Sequence, residues 1–312
     1  MRAATIVNRS LQVTEVADPV PGAGELLVRV RSAGLNSADL MQVAGGYPAP
    51  PGAPQDIPGL ELAGEVVSTG PGVHRFRVGD RVMAVVGGGA QAELAVFHER
   101  TAMPIPEELD WAAAGGFPEA FTTAHDAVFT QCGLRMGERL LVHGAAGGVG
   151  SAAVQLGLAA GADVIATVRS PERRGDVAAL GAVALPPEDF EAHGPFDVVL
   201  ELIGAPNMAA NIRALTIGGR IAIIGVGGGA AAEISLLGLM QKRATIHAST
   251  LRARPLEQKA AAARAVEAQA LPAVRQGRLQ VPIAATFALG DIAAAYDTFR
   301  AGSKFGKIVV LP

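Results

Sequence analysis

The chain has 312 residues, half of them hydrophobic and 18% charged, with a formal net charge of -3. That length supports two domains with cores of their own, the apolar content argues against a disordered polypeptide, and the charge balance gives no electrostatic basis for binding nucleic acid. One cysteine, Cys132, excludes a disulfide framework and any four-cysteine zinc site. Charges or glycines interrupt every apolar run before it reaches membrane-spanning length, and the opening MRAATIVNRS is too short and polar for a signal peptide. The expectation is a cytoplasmic protein without a membrane span.

Residues 1 to 100 read as short strands and turns. In LLVRVRSAG, Leu27, Arg29 and Arg31 fall on one face and Val28 and Val30 on the other. LAGEVVSTG, DRVMAVVGGG and QAELAVFHER continue the β-rich pattern, punctuated by proline and glycine. The rhythm changes after Trp111. TTAHDAVFTQCG reads as a helix ended by Gly133, and a βα alternation follows. ERLLVHG, ADVIATVRS, FDVVLELIG and GRIAIIGVGGG are its strands, while GVGSAAVQLGLAAG, SPERRGDVAALG and NMAANIRALTIGG are its helices. Parallel βαβ units are the economical solution. LEQKAAAARAVEAQALPAVRQG is helical with a break at Pro272, and FGKIVVLP is a last strand. Returned to the first domain, that strand makes the nucleotide domain an insertion. The expected division is 1–117 and 256–312 for the β-rich domain and 118–255 for the inserted one. AEISLLGLM and RATIHAST read either as an edge strand able to pair across a two-fold axis or as internal strands.

The turn from Gly144 to Gly150 sits between a strand and a helix. It aligns Ala145, Gly147 and Gly150 with the G-x-G-x-x-G fingerprint, Ala145 standing at the first glycine. Gly147 lets the backbone approach a pyrophosphate, Gly150 lets the helix pack on its strand, and the N–H groups of Gly148 and Val149 meet phosphate at the positive helix end. No lysine followed by serine or threonine ends the loop, which disfavours a nucleotide triphosphatase. NAD enzymes carry an acid about twenty residues beyond the fingerprint. Here the second strand ends at Val168 and is followed by Arg169, Ser170, Glu172, Arg173 and Arg174. Arginine in place of the acid points to the 2′-phosphate of NADPH. The alternative is that Arg169 and Arg173 are solvated surface charges, with Glu172 near enough to pair with them.

The stretches AGLNSADLMQVAGGYPAPPGA, PGLELAGEVVSTGPGV, VGDRVMAVVGGGAQAELAV, MPIPEELDWAAAGGFPEAFTTA, HGAAGGVGSAAVQLGLAAGA, STLRAR and GKIVVLP resemble, in order and over almost the whole chain, the zinc-independent quinone oxidoreductases of the medium-chain dehydrogenase/reductase superfamily. The branch resembled is that of zeta-crystallin and the tumour-suppressor-induced quinone reductase. The resemblance implies an α/β fold, a GroES-like β-rich catalytic domain plus a Rossmann doubly wound parallel sheet, assembled as a homodimer or larger. It implies NADPH-dependent reduction of a quinone or activated carbonyl compound. It places Asn36, Tyr47 and Thr123 around nicotinamide and substrate, and Gly147, Gly148 and Val149 on the pyrophosphate. Arg169, Ser170 and Arg173 fall around the adenosine phosphate, Gly225 beside the nicotinamide ribose, and Leu251, Arg252 and Lys307 near the cofactor.

Zinc-dependent relatives carry a cysteine near Ser37 and a histidine near Leu60. This chain has neither, although Glu61 remains, and its six histidines form no spaced cluster. Direct hydride transfer is then the simplest chemistry, with Tyr47 as a donor to a carbonyl oxygen. Asn36 is read as orienting Tyr47 or the nicotinamide amide, or as closing a turn. Thr123 is read as touching the carboxamide or capping a helix from Ala124, and Asp39 as a helix residue without a chemical part. Cys132 has no evident base beside it. An NADPH-dependent enone or alkenal reductase and a non-catalytic NADPH-binding structural or sensor protein are the rival readings.

Overall fold

The computed structural model describes all 312 residues. It divides into two compact units: unit 1 is Met1–Thr122, Leu251–Gly302 and Gly306–Pro312, and unit 2 is Thr123–Thr250 and Ser303–Phe305. The inserted unit therefore starts at 123 rather than 118 and ends at 250 rather than 255. Packing explains the shift. Phe117 and Phe121 stack on each other at 4.3 Å within unit 1, and Leu251 packs there with Val85 and Ala262.

Unit 1 contains β1 (Arg2–Val7), β2 (Ser10–Glu15), β3 (Glu25–Gly34), α1 (Ser37–Val43), β4 (Glu61–Thr69), β5 (Arg81–Val85), β6 (Leu94–His98), β7 (Ala102–Pro104) and α2 (Trp111–Gly116). The division falls inside α3 (Pro118–His125), which continues as a π-helical turn over Asp126–Gln131. Unit 2 then runs β8 (Arg139–Val142), α4 (Gly148–Ala159), β9 (Asp163–Thr167), α5 (Pro171–Ala178), β10 (Val183–Leu185), β11 (Phe196–Glu201), α6 (Met208–Ala214), β12 (Leu215–Ile223), α7 (Leu236–Lys242) and β13 (Thr245–Ala248). The chain returns to unit 1 as α8 (Leu256–Gln269), α9 (Leu271–Arg275), β14 (Ile283–Ala288), α10 (Ile292–Ala301) and β15 (Lys307–Leu311).

The sheet of unit 1 has the order β14-β15-β3-β4-β5-β7, with β6 also paired to β3 and with β1-β2 as a separate hairpin. Val28 and Val30 of β3 face a core with Leu62, Val66, Val82 and Ala84, as their alternation predicts, while Arg29 and Arg31 are exposed. A second core gathers Leu35, Val43, Ile292, Tyr296, Ile308 and Val310. β15 pairs in parallel with β14 and antiparallel with β3, so the last strand does rejoin the first unit.

Unit 2 is an all-parallel sheet in the order β10-β9-β8-β11-β12-β13. This is the doubly wound order, with its reversal between β8 and β11, where such sheets bind ligands beyond the strands' carboxyl ends. Leu141, Ile165, Phe196, Val199, Ile212, Leu215 and Ile221 fill its core.

Three local expectations change, and one element is new. The helix read over NMAANIRALTIGG stops at Ala214, because Leu215 opposes Phe196 at the start of β12 and enters the core. Within AEISLLGLM, Ser235 accepts from the Gly238 amide at 3.0 Å and caps the helix α7, so only RATIHAST supplies the edge strand, β13. Thr123 lies inside α3 rather than at its start, because Pro118 opens that helix where a missing N–H costs nothing. The short β10 within GAVALPPEDF is an element that periodicity over three residues does not reveal.

Candidate active site

In unit 2, β8 ends at Val142 and α4 begins at Gly148, with Gly147 as its N-cap residue and no side-chain cap. The first-turn amides of Gly148, Val149 and Gly150 have no acceptor inside the helix and stand at its positive end. A Cβ on Gly150 would meet the Gly144 carbonyl oxygen at 2.5 Å and Ala145 Cα at 2.6 Å, so only glycine lets the helix approach the turn this closely. Space remains at Gly147, where an added Cβ meets nothing nearer than 3.6 Å. Ala145 is fully buried and donates its N–H to the Thr167 carbonyl at 3.1 Å, so the missing first glycine is tolerated. These residues fit the pyrophosphate of a dinucleotide.

At the end of β9, Arg169 is exposed and has no partner within the protein. Ser170 donates to Glu172 Oε2 at 2.5 Å, and that hydroxyl, more than the nearby charge of Arg173, holds the Glu172 carboxyl below its ordinary value. Arg173 donates from Nε to the Ser303 carbonyl at 2.9 Å and pairs with Asp176 at 3.2 Å. Ser303 Oγ lies 3.2 Å from Ser170 Oγ, which places the 303–305 segment of unit 2 beside this cluster. Nothing in the sequence pattern points to Ser303. Gly225 follows β12, and a Cβ there would meet the Leu202 carbonyl at 2.3 Å, so the loops after β11 and β12 are in backbone contact.

In unit 1, Asn36 is the N-cap of α1, and its backbone amide donates back to Asp39 Oδ2 at 2.8 Å. Its side chain points inward. Nδ2 donates to Glu61 Oε1 at 2.9 Å and Gly34 O at 3.3 Å, and Oδ1 accepts from Lys307 Nζ at 2.8 Å. None of these bonds reaches Tyr47. Lys307, 4% exposed, also donates to Leu35 O at 2.8 Å and pairs with Glu61 Oε1 at 2.5 Å. Glu61, fully buried, accepts on Oε2 from the Glu119 amide at 2.8 Å. One ion pair thus joins β15, β4, the entry to α1 and the first turn of α3.

Asp39 is fully buried and accepts from the amides of Asn36 at 2.8 Å and Gly59 at 3.0 Å. Burial pushes its carboxyl up to about 7 against the pull of those amides and of Lys307. Arg252, 2% exposed, donates to Gly87 O at 2.8 Å, Tyr47 O at 3.1 Å and Gln42 Oε1 at 2.5 Å. Its guanidinium carbon lies 5.2 Å from the centre of the Tyr47 ring. Arg252 therefore clamps the Tyr47 loop, and the phenol hydroxyl is left without a partner within the protein. Burial raises the Tyr47 phenol above its ordinary value, so it is protonated at neutral pH and is a donor. Leu251 packs with Val85 and Ala262. Thr123 is 8% exposed on α3.

Ser37 and Leu60 are neither cysteine nor histidine, Glu61 is committed to Lys307, and no group of three or more His, Cys, Asp or Glu side chains is placed to hold a metal ion. These residues do not fit a zinc ion. Cys132 is buried and its thiol is pushed up to about 12 by burial, which makes it inert.

Residues 22–107 match the model of the alcohol dehydrogenase GroES-like domain, and residues 148–267 that of the zinc-binding dehydrogenases. The quinone oxidoreductase of Rattus norvegicus is 30% identical over 311 residues, covering 96% of this chain and 92% of that protein. That of Lama guanicoe is 31% identical with the same coverage. The crystal structure of an alcohol dehydrogenase superfamily protein from Novosphingobium aromaticivorans superposes with a TM-score of 0.88 at 30% identity, covering 100% of this chain and 99% of that one. Together with the doubly wound sheet, its glycine turn and the GroES-like unit, these likenesses show that the chain belongs to the medium-chain dehydrogenase/reductase superfamily, as an oxidoreductase related to the quinone oxidoreductases and using a nicotinamide cofactor.

Proposed function

We propose that the protein is an NADPH-dependent quinone reductase that works by direct hydride transfer without zinc. The cofactor choice is carried by Arg169, an exposed cation with no protein partner at the end of β9, where an NAD enzyme would place an acid. Arg173 and Ser170 complete the phosphate site, with Gly147, Gly148 and Val149 on the pyrophosphate and Gly225 on the ribose side. Bound NADPH supplies a hydride from the nicotinamide C4. The Tyr47 hydroxyl donates to a substrate carbonyl oxygen and steadies the negative charge that oxygen gains, and Arg252 holds the tyrosine loop in place. The hydride and one solvent proton convert a quinone to its hydroquinone. Asn36 and Lys307 act through their shared pairing with Glu61, and Leu251 and Thr123 are proposed as further contacts of the cofactor and substrate.

The protein is proposed to be cytoplasmic; no helix is long and apolar enough to cross a membrane. It is further proposed to be a homodimer. β13 is the open edge of the unit 2 sheet, and Leu236, Leu237 and Met240 of the neighbouring α7 are 70%, 62% and 72% exposed. Loss of the absorbance of the reduced nicotinamide, of NADPH or NADH, on adding 1,4-benzoquinone, 9,10-phenanthrenequinone or an enone tests the reading. Faster oxidation of NADPH with quinones is the expected outcome. Preference for NADH overturns the phosphate site, turnover confined to enones makes the protein an alkene reductase, and tight binding without turnover of any acceptor argues for a binding protein.

A further inference from the structure

Unit 2 buries a second polar chain that none of the foregoing chemistry uses, and it sits where the strand order reverses. Glu201, the last residue of β11, is fully buried. Its Oε1 accepts from the amides of Ile203 at 2.6 Å and Gly204 at 2.8 Å, and from Asn207 Nδ2 at 3.3 Å. Its Oε2 accepts from Asn211 Nδ2 at 2.7 Å. Asn211 Oδ1 lies 2.8 Å from His143 Nε2, and His143 Nδ1 lies 2.9 Å from Thr167 Oγ1. His143 and Asn211 are fully buried and Thr167 is 2% exposed.

A carboxylate can only accept, so Glu201 forces the Asn211 NH2 toward itself and the Asn211 oxygen toward histidine. That oxygen requires His143 to carry its proton on Nε2, and the bare Nδ1 then accepts from the Thr167 hydroxyl. Every proton in the row is ordered from one end. Burial holds His143 below its ordinary value, in keeping with a neutral ring in this row.

The two ends of the row each support a loop at the carboxyl ends of the parallel strands. At one end, Glu201 fixes the loop after β11, and that loop carries the loop after β12: Ala205 N donates to Gly229 O, and Gly228 N to Ile203 O. At the other, the Thr167 carbonyl holds the Ala145 amide of the glycine turn, and His143 directly precedes that turn.

We propose that Glu201 is a positioning residue for the dinucleotide, setting the loops on the nicotinamide side and, through Asn211, His143 and Thr167, the glycine turn. This rests on unit 2 being the cofactor unit and not on the choice between NADPH and NADH. The test is a swap in the full-length protein. Glu201→Gln keeps an acceptor for the loop amides but turns an NH2 against the Asn211 NH2. When Asn211→Asp is added, the new glutamine donates to the new carboxylate, which also accepts from His143, so each hydrogen bond is restored with the charge one residue along.

Binding is followed by the fluorescence of whichever of NADPH and NADH the wild type binds more tightly, with KM and kcat beside it and circular dichroism as the check on folding. The expected result is a Kd raised at least about tenfold in Glu201→Gln, a KM that rises more than kcat falls, and return to within about threefold of wild type in the double variant. A folded Glu201→Gln with wild-type Kd overturns the proposal, as does a folded double variant that stays weak. If Glu201→Gln does not fold, the double variant is compared with the wild type by the same criterion. If neither folds, Thr167→Val decides: it removes only the far hydroxyl, and wild-type affinity there overturns the proposal while a loss of affinity supports it.

Discussion

Replacing Lys307 by methionine is the sharpest perturbation of unit 1. The ammonium is 4% exposed and makes three contacts, with Glu61 Oε1 at 2.5 Å and with Leu35 O and Asn36 Oδ1 at 2.8 Å each. Methionine fills the space of the stem but leaves a fully buried carboxylate without its counter-ion and two carbonyl oxygens short of a donor. Two donors to Glu61 survive, Asn36 Nδ2 and the Glu119 amide, so the loss stays within the range for breaking one side of a buried pair, about 3–5 kcal/mol. Adding Glu61→Gln removes the stranded charge, and the double variant should regain about half of that loss. Urea titration followed by the fluorescence of Trp111, the one tryptophan, reports unit 1 directly. A cost below about 1 kcal/mol for Lys307→Met, or a double variant no more stable than the single one, refutes the argument that this pair ties β15, β4 and the first turn of α3 together.

Arg169→Ala should raise KM for NADPH about tenfold and leave NADH within about twofold, the loss of one charge-assisted phosphate contact; an equal rise for both cofactors speaks against a phosphate site there. Asp39 sets a pH dependence whose sign follows from its raised carboxyl. The folded state keeps the proton after the unfolded chain has lost it, so stability falls as pH rises from 3.8 to about 7 and is flat above. Asp39→Asn should therefore gain on the wild type by as much as about 4 kcal/mol across that window, and parallel stability profiles of the two proteins contradict it. Cys132, 4% exposed with its thiol pushed up to about 12, should react with iodoacetamide at about pH 8 at least about a hundredfold more slowly in the native protein than in urea; rapid native labelling argues against its burial.

The parts of this fold that local rules govern are legible in the sequence. The glycine turn, the βα alternation and the inward valines of β3 follow from periodicity and from backbone sterics that act over a few residues. What escapes depends on distance along the chain. Asn36 reads locally as a turn or a ligand, and only the arrival of Glu61 and Lys307 commits its amide inward. Asp39 reads as a helix residue, which it is, but Gly59 and Arg252 make it a buried acid. FDVVLELIG carries two acids, Asp197 near the start of the strand and Glu201 at its end, behind the apolar run Val198–Leu200. The acid that follows that apolar run is the available signal, since a carboxylate buried there needs donors from somewhere. LTIGG reads wrongly as helix because helix and strand compete over short apolar runs, and pairing with Phe196 decides for the strand.

The placement of β15 also governs the order in which this protein can assemble on the ribosome. β3 and Glu61 emerge early, but the strand that covers one flank of β3 and the cation that neutralises Glu61 are translated only after the whole of unit 2. Nascent domains generally fold in the order they are made. Here almost all of the later-starting unit is complete first, and the earlier one waits with a buried charge unpaired and its sheet unfinished. Quality control of this chain is thereby tied to its final stretch: a ribosome that stalls before Lys307 leaves a unit 1 that cannot close.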